Sequence, residues 1–517
     1  MNYKRIIRII VAVLTLLAMV FLFVDASGWG GEHLGFLARV QFMPALLALN
    51  VVALVVLVAL TLIFGRIYCS VICPLGIMQD VVSRIRKATT GRKRKKVGFY
   101  HYTQPHSRLR VAVLAVFAVV IVLGALNVMA ISLGAIIEPY SAFGRMVTAF
   151  VSPLYDAGNN VLADATAESG SYLFTPVHRS VPVALFIIAG VTLIVVTACA
   201  WRNGRIYCNS ICPVGTILGY ASKFSWLKIR IDTEKCNSCG SCARHCKAGC
   251  IDSKNHDVDY TRCVDCFDCL DVCRQGAIKY TGAKNNETHK EPKGTEGPDG
   301  NRRVFVATLA ALTGAAMAKA ASGTIEKVTD GGLTPLKSRS ATGRKTPLLP
   351  PGVISQARLN ARCVGCQLCI QACPSGLLSM STNAGTLMQP VMNYTEDYCP
   401  PYCQACSNVC PTGVFTPLDE ASKSSLKIGT AQVDVSACLS ANGTDSCGNC
   451  SRHCPVGAIE MVSFETENPE KLMPVVKESV CIGCGACEVH CPVGTVASMS
   501  ENQPAIHVEG VAMQRYI

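Results

Sequence analysis

Four long apolar runs, separated by polar stretches, lie in the first 200 residues of the chain. The runs cover residues 9–24, 40–64, 111–137 and 181–200. Each is close to the roughly 20 residues that a helix needs to cross a bilayer. Beyond residue 230 the sequence becomes polar and rich in cysteine, with Gly- and Pro-rich segments at 282–301 and 323–351. The pattern predicts a multi-domain protein, in which an α-helical membrane bundle of four spans (1–230) precedes smaller α+β domains.

Positive charge is concentrated in one of the loops between these runs. The segment 65–110 contains eleven Lys or Arg, whereas 138–180 contains only two, against four acidic residues. Loops rich in Lys and Arg stay in the cytoplasm. The sequence therefore predicts that the N-terminus, the basic loop and the segment after the fourth run are cytoplasmic.

One short sequence occurs twice, each time directly after an apolar run. Nine of the fourteen positions from Gly65 to Met78 are identical in the second copy, which begins at Gly204. Each copy contains a C-x3-C-P unit, and their thiols are Cys69, Cys73, Cys208 and Cys212. If the copies pack together, four thiols meet at one membrane face, where they can bind an iron–sulfur cluster or zinc, or carry out disulfide chemistry. A helix-capping repeat with small apolar cysteines is the alternative.

Most of the thirty cysteines fall into six groups of four. In four groups the spacing is C-x2-C-x2-C-x3-C, and in two only the first gap is longer. The groups are Cys236, Cys239, Cys242 and Cys246; Cys263, Cys266, Cys269 and Cys273; Cys363, Cys366, Cys369 and Cys373; Cys399, Cys403, Cys406 and Cys410; Cys438, Cys447, Cys450 and Cys454; and Cys481, Cys484, Cys487 and Cys491. This spacing is that of bacterial ferredoxins and predicts six [4Fe–4S] clusters, in bacterial-ferredoxin-like domains at 231–281 (two clusters) and 352–517 (four clusters).

The cysteine spacing argues against two other classes of protein. Disulfide-dense domains are small, and runs of neighbouring cysteines pair poorly. Zinc sites use two C-x2-C pairs set well apart. The formal net charge of +13 is nearly cancelled by six clusters, each of which adds roughly two negative charges with its thiolates, so the charge gives no indication of nucleic-acid binding.

In a ferredoxin run the fourth cysteine binds the other cluster of a pair. This predicts that Cys273 completes the cluster of the 236–242 group, and that Cys246 completes the cluster of the 263–269 group. The usual proline after the fourth cysteine is replaced by Lys247 and Arg274. Cys250 is an alternative ligand next to Cys246, and Cys199 is a spare thiol.

Two arginines precede a short apolar run in the middle of the chain. Arg302 and Arg303 stand before an uncharged stretch at 304–318, followed by small residues at alternate positions. This predicts a twin-arginine export signal or a short fifth anchor helix at 302–322; cleavage of the signal stays open. Both interpretations place residues 323–517 outside the cytoplasm. In a third interpretation, residues 302–322 form a buried helix within a C-terminal half that is entirely cytoplasmic.

Other redox cofactors lack their motifs. The chain has no C-x-x-C-H for covalent haem and no histidine within the four apolar runs. No G-x-G-x-x-G follows a strand, and no P-loop is present. The sequence therefore predicts neither haem nor flavin. His245, His453 and His490 lie next to clusters and are interpreted as packing groups rather than ligands.

With its paired C-x3-C-P units, the first part of the chain resembles the NapH-type membrane ferredoxins, a group that includes the polyferredoxins NosR and CcoG. From about Arg302 the chain resembles the exported four-cluster NapG type, so it is similar to a fusion of the two. The resemblance implies quinol oxidation and electron delivery to a periplasmic oxidoreductase. It also implies that the first and fourth C-terminal groups exchange their last cysteines, as do the second and third.

Our interpretation is a multi-pass protein of the cytoplasmic membrane that acts as a quinol dehydrogenase or electron-transfer subunit, with a periplasmic C-terminal domain. The four membrane cysteines would bind a seventh iron–sulfur cluster. The candidate quinol-site residues are Glu138, Tyr140 and Arg145, just past the third run. The alternative is that they only anchor the chain at the membrane interface. Two other functions stay open: a metal-reducing or maturation factor that uses the membrane cysteines, and a docking subunit of a larger complex.

Overall fold

A computed structural model gives the fold of most of the chain. It describes residues 3–25, 27–90, 99–127, 131–168, 176–177, 179, 181–282, 343–442, 446–463, 471–493 and 503–517. The predicted export signal or fifth helix at 302–322 lies outside the described residues, as do most of the two predicted linkers.

The N-terminal part is a bundle of helices. Among the described residues, three helices are long and apolar enough to cross a membrane, namely α1, α7 and α11. The helices are α1 (Tyr3–Val24), α2 (Trp29–Arg39), α3 (Phe42–Leu47), α4 (Val51–Phe64), α5 (Tyr68–Val71), α6 (Pro74–Thr89), α7 (Ser107–Ala125), α8 (Ile131–Gly134), α9 (Pro139–Met146), α10 (Ser152–Glu168), α11 (Val183–Asn203), α12 (Ile206–Ser210) and α13 (Pro213–Ser222). A 3₁₀ turn (Ala135–Ile137) precedes α9, and a π-helical turn (Val147–Val151) follows it.

Two apolar runs are broken, so the prediction of four full spans is not confirmed. The run 40–64 divides into α3 and α4, because Leu49 adopts a left-handed backbone (φ 55°) and the Asn50 side chain caps α4 by accepting from the Ala53 amide. The resulting α4 has only 14 residues. The run 111–137 ends its long helix at Ala125, and its last part forms α8 and the 3₁₀ turn.

A small α+β unit follows the helix bundle. It consists of β1 (Lys228–Ile231), α14 (Ser241–His245), β2 (Ile251–Asp252), β3 (Asp257–Val258), α15 (Asp268–Val272) and β4 (Ile278–Thr281). The outer strands β1 and β4 pair antiparallel and place Ile229 opposite Tyr280, while β2 pairs with β3. Alternate apolar residues such as Ile229 and Ile278 are buried against the cysteine loops. The two short helices pack together, and each is followed directly by the last cysteine of its group.

The C-terminal part repeats this plan with short helices and two-stranded sheets. Its elements are α16 (Gln356–Arg362), α17 (Leu368–Gln371), β5 (Leu378–Met380), a 3₁₀ turn (Ala384–Thr386), β6 (Pro390–Met392), α18 (Ala405–Val409), α19 (Glu420–Ser424), β7 (Leu426–Val433), α20 (Asn449–Arg452), β8 (Ile459–Ser463), β9 (Leu472–Val476), α21 (Ala486–Val489) and β10 (Ile506–Tyr516). The pairs β5–β6, β7–β10 and β8–β9 are all antiparallel.

The two cysteine-rich parts contact opposite ends of α1. At its start, Arg5 forms ion pairs with Asp268 and Asp271 of the small unit. At its end, the carbonyl oxygen of Val24 accepts from Arg179 at 3.3 Å, and the same guanidinium nitrogen donates to Gln371 of the C-terminal part at 2.9 Å. Since α1 is 22 residues long and rises about 1.5 Å per residue, the helix bundle separates the two cysteine-rich parts.

Candidate metal centres

The structure brings the four cysteines of the repeated sequence together inside the helix bundle. Their exposed fractions are between 2 and 4 %. Burial raises the pKa of the Cys73 thiol, and the neighbouring Cys208 and Cys69 raise it further. Burial likewise raises the pKa of Cys212, with added effects of Cys208, Cys73 and Cys69. The predicted convergence of four thiols is therefore present in the fold, and we call this group the four-thiol centre.

The two copies of the repeat hold each other through reciprocal contacts. Arg205 donates to the carbonyl oxygen of Cys69 at 2.6 Å, and Arg66 donates to that of Cys208 at 3.4 Å. The approach is so close that a Cβ atom on Gly76 would lie 2.8 Å from the Arg205 guanidinium, and one on Gly215 would lie 2.9 Å from that of Arg66. These contacts explain why the glycines and arginines occur in both copies.

The surroundings of the four-thiol centre fit a negatively charged cluster. The Arg66 guanidinium lies 3.9 Å from the Cys69 sulfur, and the Gln79 amide donates to the Cys208 sulfur at 3.1 Å. Cationic and donor groups of this kind stabilise thiolates. Within the part of the chain that the structure describes, no three His, Cys, Asp or Glu side chains are close enough to hold a single metal ion.

In the small unit the structure agrees with the predicted exchange for one cluster. Burial raises the pKa of Cys269, and the nearby Cys266, Cys263 and Cys246 raise it further. The fourth cysteine of the first group thus stands with the first three of the second. The Cys250 sulfur lies 3.5 Å from that of Cys246, so the alternative ligand noted in the sequence is close to the same centre.

In the C-terminal part the exchange implied by the NapG resemblance is wrong. One cavity of about 350 Å³ is lined by Cys373 together with Cys399, Cys403 and Cys406. A second cavity, of about 340 Å³, is lined by four other cysteines: Cys438, Cys447, Cys450 and Cys491. The first group therefore exchanges its last cysteine with the second, and the third with the fourth. Each cavity therefore brings together the four thiols that a four-iron cluster requires.

The reciprocal halves of both exchanges are also visible. Burial raises the pKa of Cys369, and the neighbouring thiols Cys366, Cys363 and Cys410 raise it further. Burial raises the pKa of Cys484, and Cys454 is the first of the neighbouring thiols that raise it further. The physical reason is local packing: α17 packs on α18 and α20 on α21, so groups that are adjacent in the chain close into compact two-cluster units. All thirty cysteines are free of disulfides.

A buried network of charges joins the small unit to the four-thiol centre. The Lys247 ammonium lies 2.9 Å from Asp80 and 3.3 Å from Asp268. Asp80 also pairs with Arg205 at 2.8 Å and with Arg8 at 3.0 Å. The sequence showed only that Lys247 replaces the usual proline. The structure shows that this residue, directly after the ligand Cys246, ties the small unit to the membrane bundle.

Comparison with known proteins finds iron–sulfur families along the cysteine-rich parts of the chain. A family described as "4Fe-4S binding domain" matches residues 46–93 and 183–233, which contain the two C-x3-C-P units. A "4Fe-4S dicluster domain" matches 362–414 and 445–495, and another "4Fe-4S binding domain" matches 229–252. Each dicluster match contains cysteines of two groups that are adjacent in the chain, in agreement with the exchange seen in the structure. No solved structure matches the chain.

Several curated proteins are similar to parts of the chain. The methylamine utilization ferredoxin-type protein MauM of Paracoccus denitrificans is 32% identical over 191 residues, which cover 36% of this chain and 76% of the relative. The chain belongs to the MauM/NapG family of ferredoxin-type proteins. The ferredoxin-type protein NapG of Escherichia coli is 31% identical over 158 residues, covering 29% of this chain and 67% of NapG. An uncharacterized protein of Methanocaldococcus jannaschii is 24% identical over 265 residues, covering 51% of this chain and 83% of that protein.

As a MauM/NapG-type ferredoxin, the protein is an iron–sulfur electron-transfer protein, and its three long apolar helices indicate membrane association. The cysteine groups would hold the clusters, which supply one-electron transfer when bound. The protein's own residues supply burial, compensating charge and the spacing between centres.

The three candidate quinol residues lie at a packed interface. Glu138 accepts from the Ser141 amide, and the Ser141 hydroxyl donates to the carbonyl oxygen of Val364 in the C-terminal part. Arg145 donates to the carbonyl oxygen of Gly365 at 3.5 Å. Glu138, Tyr140 and Arg145 are all buried, and burial raises the pKa of Glu138 to about 7. Their placement favours a role in joining the membrane bundle to the first C-terminal cysteine group.

Replacing Lys247 by methionine should lower the reduction potential of the cluster held with Cys246. The ammonium is buried beside this cysteine group and near Cys266, so its loss disfavours an added electron. We expect a decrease of roughly 60 mV, equivalent to about 1.4 kcal/mol for one electron, in a redox titration followed by EPR. Arg274→Met is the matched control, because Arg274 follows Cys273 in the same way but is exposed. An equal shift in both variants would contradict the role of Lys247.

Proposed function

We propose that this protein carries electrons across the cytoplasmic membrane, from a quinol to an oxidoreductase on the periplasmic side. The electrons would pass through six [4Fe–4S] clusters and a seventh iron–sulfur cluster at the four-thiol centre. The observation that carries the proposal is the position of this centre inside the bundle, between two cysteine-rich parts that contact opposite ends of α1.

Short connections link the four-thiol centre to both sides. Towards the small unit, the Arg205 amide donates to the carbonyl oxygen of Lys247 at 2.8 Å. Towards the C-terminal part, the Tyr207 hydroxyl donates to the carbonyl oxygen of Ile137 at 2.9 Å, next to Glu138. Electron hopping requires closely spaced centres, and these contacts support a continuous path.

The direction across the membrane follows from the charges of the loops. The basic loop 65–110 and the small unit would be cytoplasmic, and the C-terminal part would then lie in the periplasm. The arginine pair at 302–303 would export this part as a folded domain. NapG and MauM are named as ferredoxin-type proteins, which supports electron transfer as their common role.

A metal-reducing or maturation factor is the alternative function. Such a factor has to expose its thiols to a client protein, at least in passing. The four thiols are buried by both copies of the repeat and by reciprocal arginine contacts, which favours electron transfer over metal delivery.

The test is the reduction of the clusters by a hydroquinone in lipid nanodiscs prepared without air. We expect added menaquinol to produce the EPR signals of reduced clusters of both cysteine-rich parts. Clusters that dithionite reduces but menaquinol does not would contradict the quinol donor. A client enzyme that lacks its metal when Cys69 is replaced by alanine, while all clusters are still reduced, would favour the maturation function instead.

A further inference from the structure

An open cavity of about 220 Å³ lies where the membrane bundle meets the small unit. His106, which stands directly before α7, and Asn203, the last residue of α11, both line it. The cavity is therefore at the ends of two of the three apolar helices.

One wall of the cavity is a segment that is fastened to the small unit. The amide of Tyr100 donates to the carbonyl oxygen of Arg244 at 3.1 Å, and that of Thr103 to Gly249 at 3.2 Å. This segment presents Phe99, Tyr100 and His101 to the cavity. The cavity is also lined by Ile206, Asn209 and Ser210 of α12, the helix that also contains Cys208.

The lining combines apolar surface with groups that bind oxygen and accept protons. Phe99 and Ile206 supply flat and apolar contacts. Arg262 is buried and lines the cavity, yet its Nη2 atom has no hydrogen-bond partner. A buried donor without a partner costs free energy. We therefore expect the oxygen of a ligand to accept a hydrogen bond from this atom. The rings of His101 and His106 are exposed and can pass protons on to solvent.

The cavity also touches the electron path. Cys246, assigned above as a cluster ligand, forms part of its wall, and Asn209 and Ser210 lie between the two cysteines of the second C-x3-C-P unit. A ring in this cavity would contact a ligand residue of the small unit. Glu138, Tyr140 and Arg145, in contrast, are buried beneath the C-terminal part.

We propose that this cavity binds and oxidises the ring of a membrane hydroquinone. The inference rests on the proposed function and gives its donor a site. Two O–H bonds of the hydroquinone break, and its two protons pass to the imidazole nitrogens of His101 and His106. The two electrons would go one at a time to the oxidised [4Fe–4S] cluster that Cys246 would help to hold, and each would be passed on before the next arrives. The ring leaves as a quinone with two C=O bonds. Arg262 binds the ring oxygen and positions it.

The first test fills the cavity. The variant is Ile206→Trp, and the probe is the fluorescent hydroquinone analogue 2-heptyl-4-hydroxyquinoline N-oxide, titrated against the full protein in nanodiscs. We expect its dissociation constant to rise at least about tenfold, the equivalent of about 1.4 kcal/mol. Ile67→Trp is the matched control, because Ile67 holds the same place in the first repeat and lies outside this cavity. Unchanged binding in Ile206→Trp, or equal weakening in both variants, would overturn the assignment.

A second variant does not depend on the packing of α12. His101→Phe combined with His106→Phe should slow menaquinol-dependent reduction of the clusters by about 100-fold, in line with the loss of general-base groups, while reduction by dithionite is unchanged. If both variants leave menaquinol oxidation intact, the site is wrong but the proposed function stands. If the unmodified protein neither binds the probe nor oxidises menaquinol, the quinol donor fails as well.

Discussion

Replacing Cys69 and Cys208 together by serine should remove about four iron atoms from each chain. The six cysteine groups account for about 24 iron atoms, and a cluster at the four-thiol centre raises the number to about 28. The double variant takes one ligand from each copy of the repeat and leaves two buried thiols. Iron and sulfide analysis of protein purified without air measures the change. In the same variant, menaquinol should reduce the clusters of the small unit but no longer those of the C-terminal part.

The matched control for this variant is Cys199→Ser. Cys199 lies on α11, outside all six groups and outside the four-thiol centre. The Cys199→Ser variant should retain the full iron content, and menaquinol should still reduce the clusters of both cysteine-rich parts. About 24 iron atoms in the unmodified protein, with none lost in the double variant, would contradict the seventh cluster.

Replacing Asp80 by asparagine should give the largest loss of stability of any single charge substitution. Asp80 is buried with Arg8, Arg205 and Lys247 around it. Its loss leaves the two buried arginines without a carboxylate partner, while Lys247 keeps only Asp268. Removing one partner of a buried ion pair costs about 3–5 kcal/mol. Chemical denaturation in detergent, followed through the visible absorbance of the clusters, should show a lower midpoint. Asp164→Asn is the control, because Asp164 is exposed on α10.

The effect of the Asp80 substitution should not depend on pH between about 5 and 8. Burial alone would raise the pKa of Asp80, but Arg205 and Lys247 outweigh it and hold this pKa well below its usual range. A carboxyl with a lowered pKa stabilises the fold above its unfolded pKa, and this contribution is lost only as the pH falls through its folded pKa. If the difference in stability between the variant and the unmodified protein disappears at neutral pH, then this network does not hold Asp80 as a carboxylate.

The cysteine spacing alone identified the groups and their chemistry, because ligand spacing is a local property of a loop and a short helix. The convergence of Cys69, Cys73, Cys208 and Cys212 also followed from the sequence, because a repeated unit folds in the same way twice. The exchange of Cys373, in contrast, depends on which short helices pack together. The only indication of that packing in the sequence was the resemblance to NapG, and the exchange that this resemblance implied was wrong.

The helices were harder to predict than the metal ligands. Hydropathy marked the run 40–64 but not the break at Leu49 and Asn50, since one left-handed residue and one side-chain cap hardly change the apolar average. The charge network around Lys247 and the cavity beside His101 are formed by residues far apart in the chain. The missing proline at Lys247 was the one local signal of this network.

The central claim, that electrons pass through the four-thiol centre from one side of the membrane to the other, is tested most directly in sealed proteoliposomes. Ferricyanide is trapped inside, and dithionite is added outside without air. The account predicts that liposomes with the unmodified protein lose the ferricyanide absorbance, whereas liposomes with the Cys69→Ser, Cys208→Ser variant keep it as protein-free liposomes do. Equal rates with the two proteins, or no reaction with the unmodified one, would contradict it.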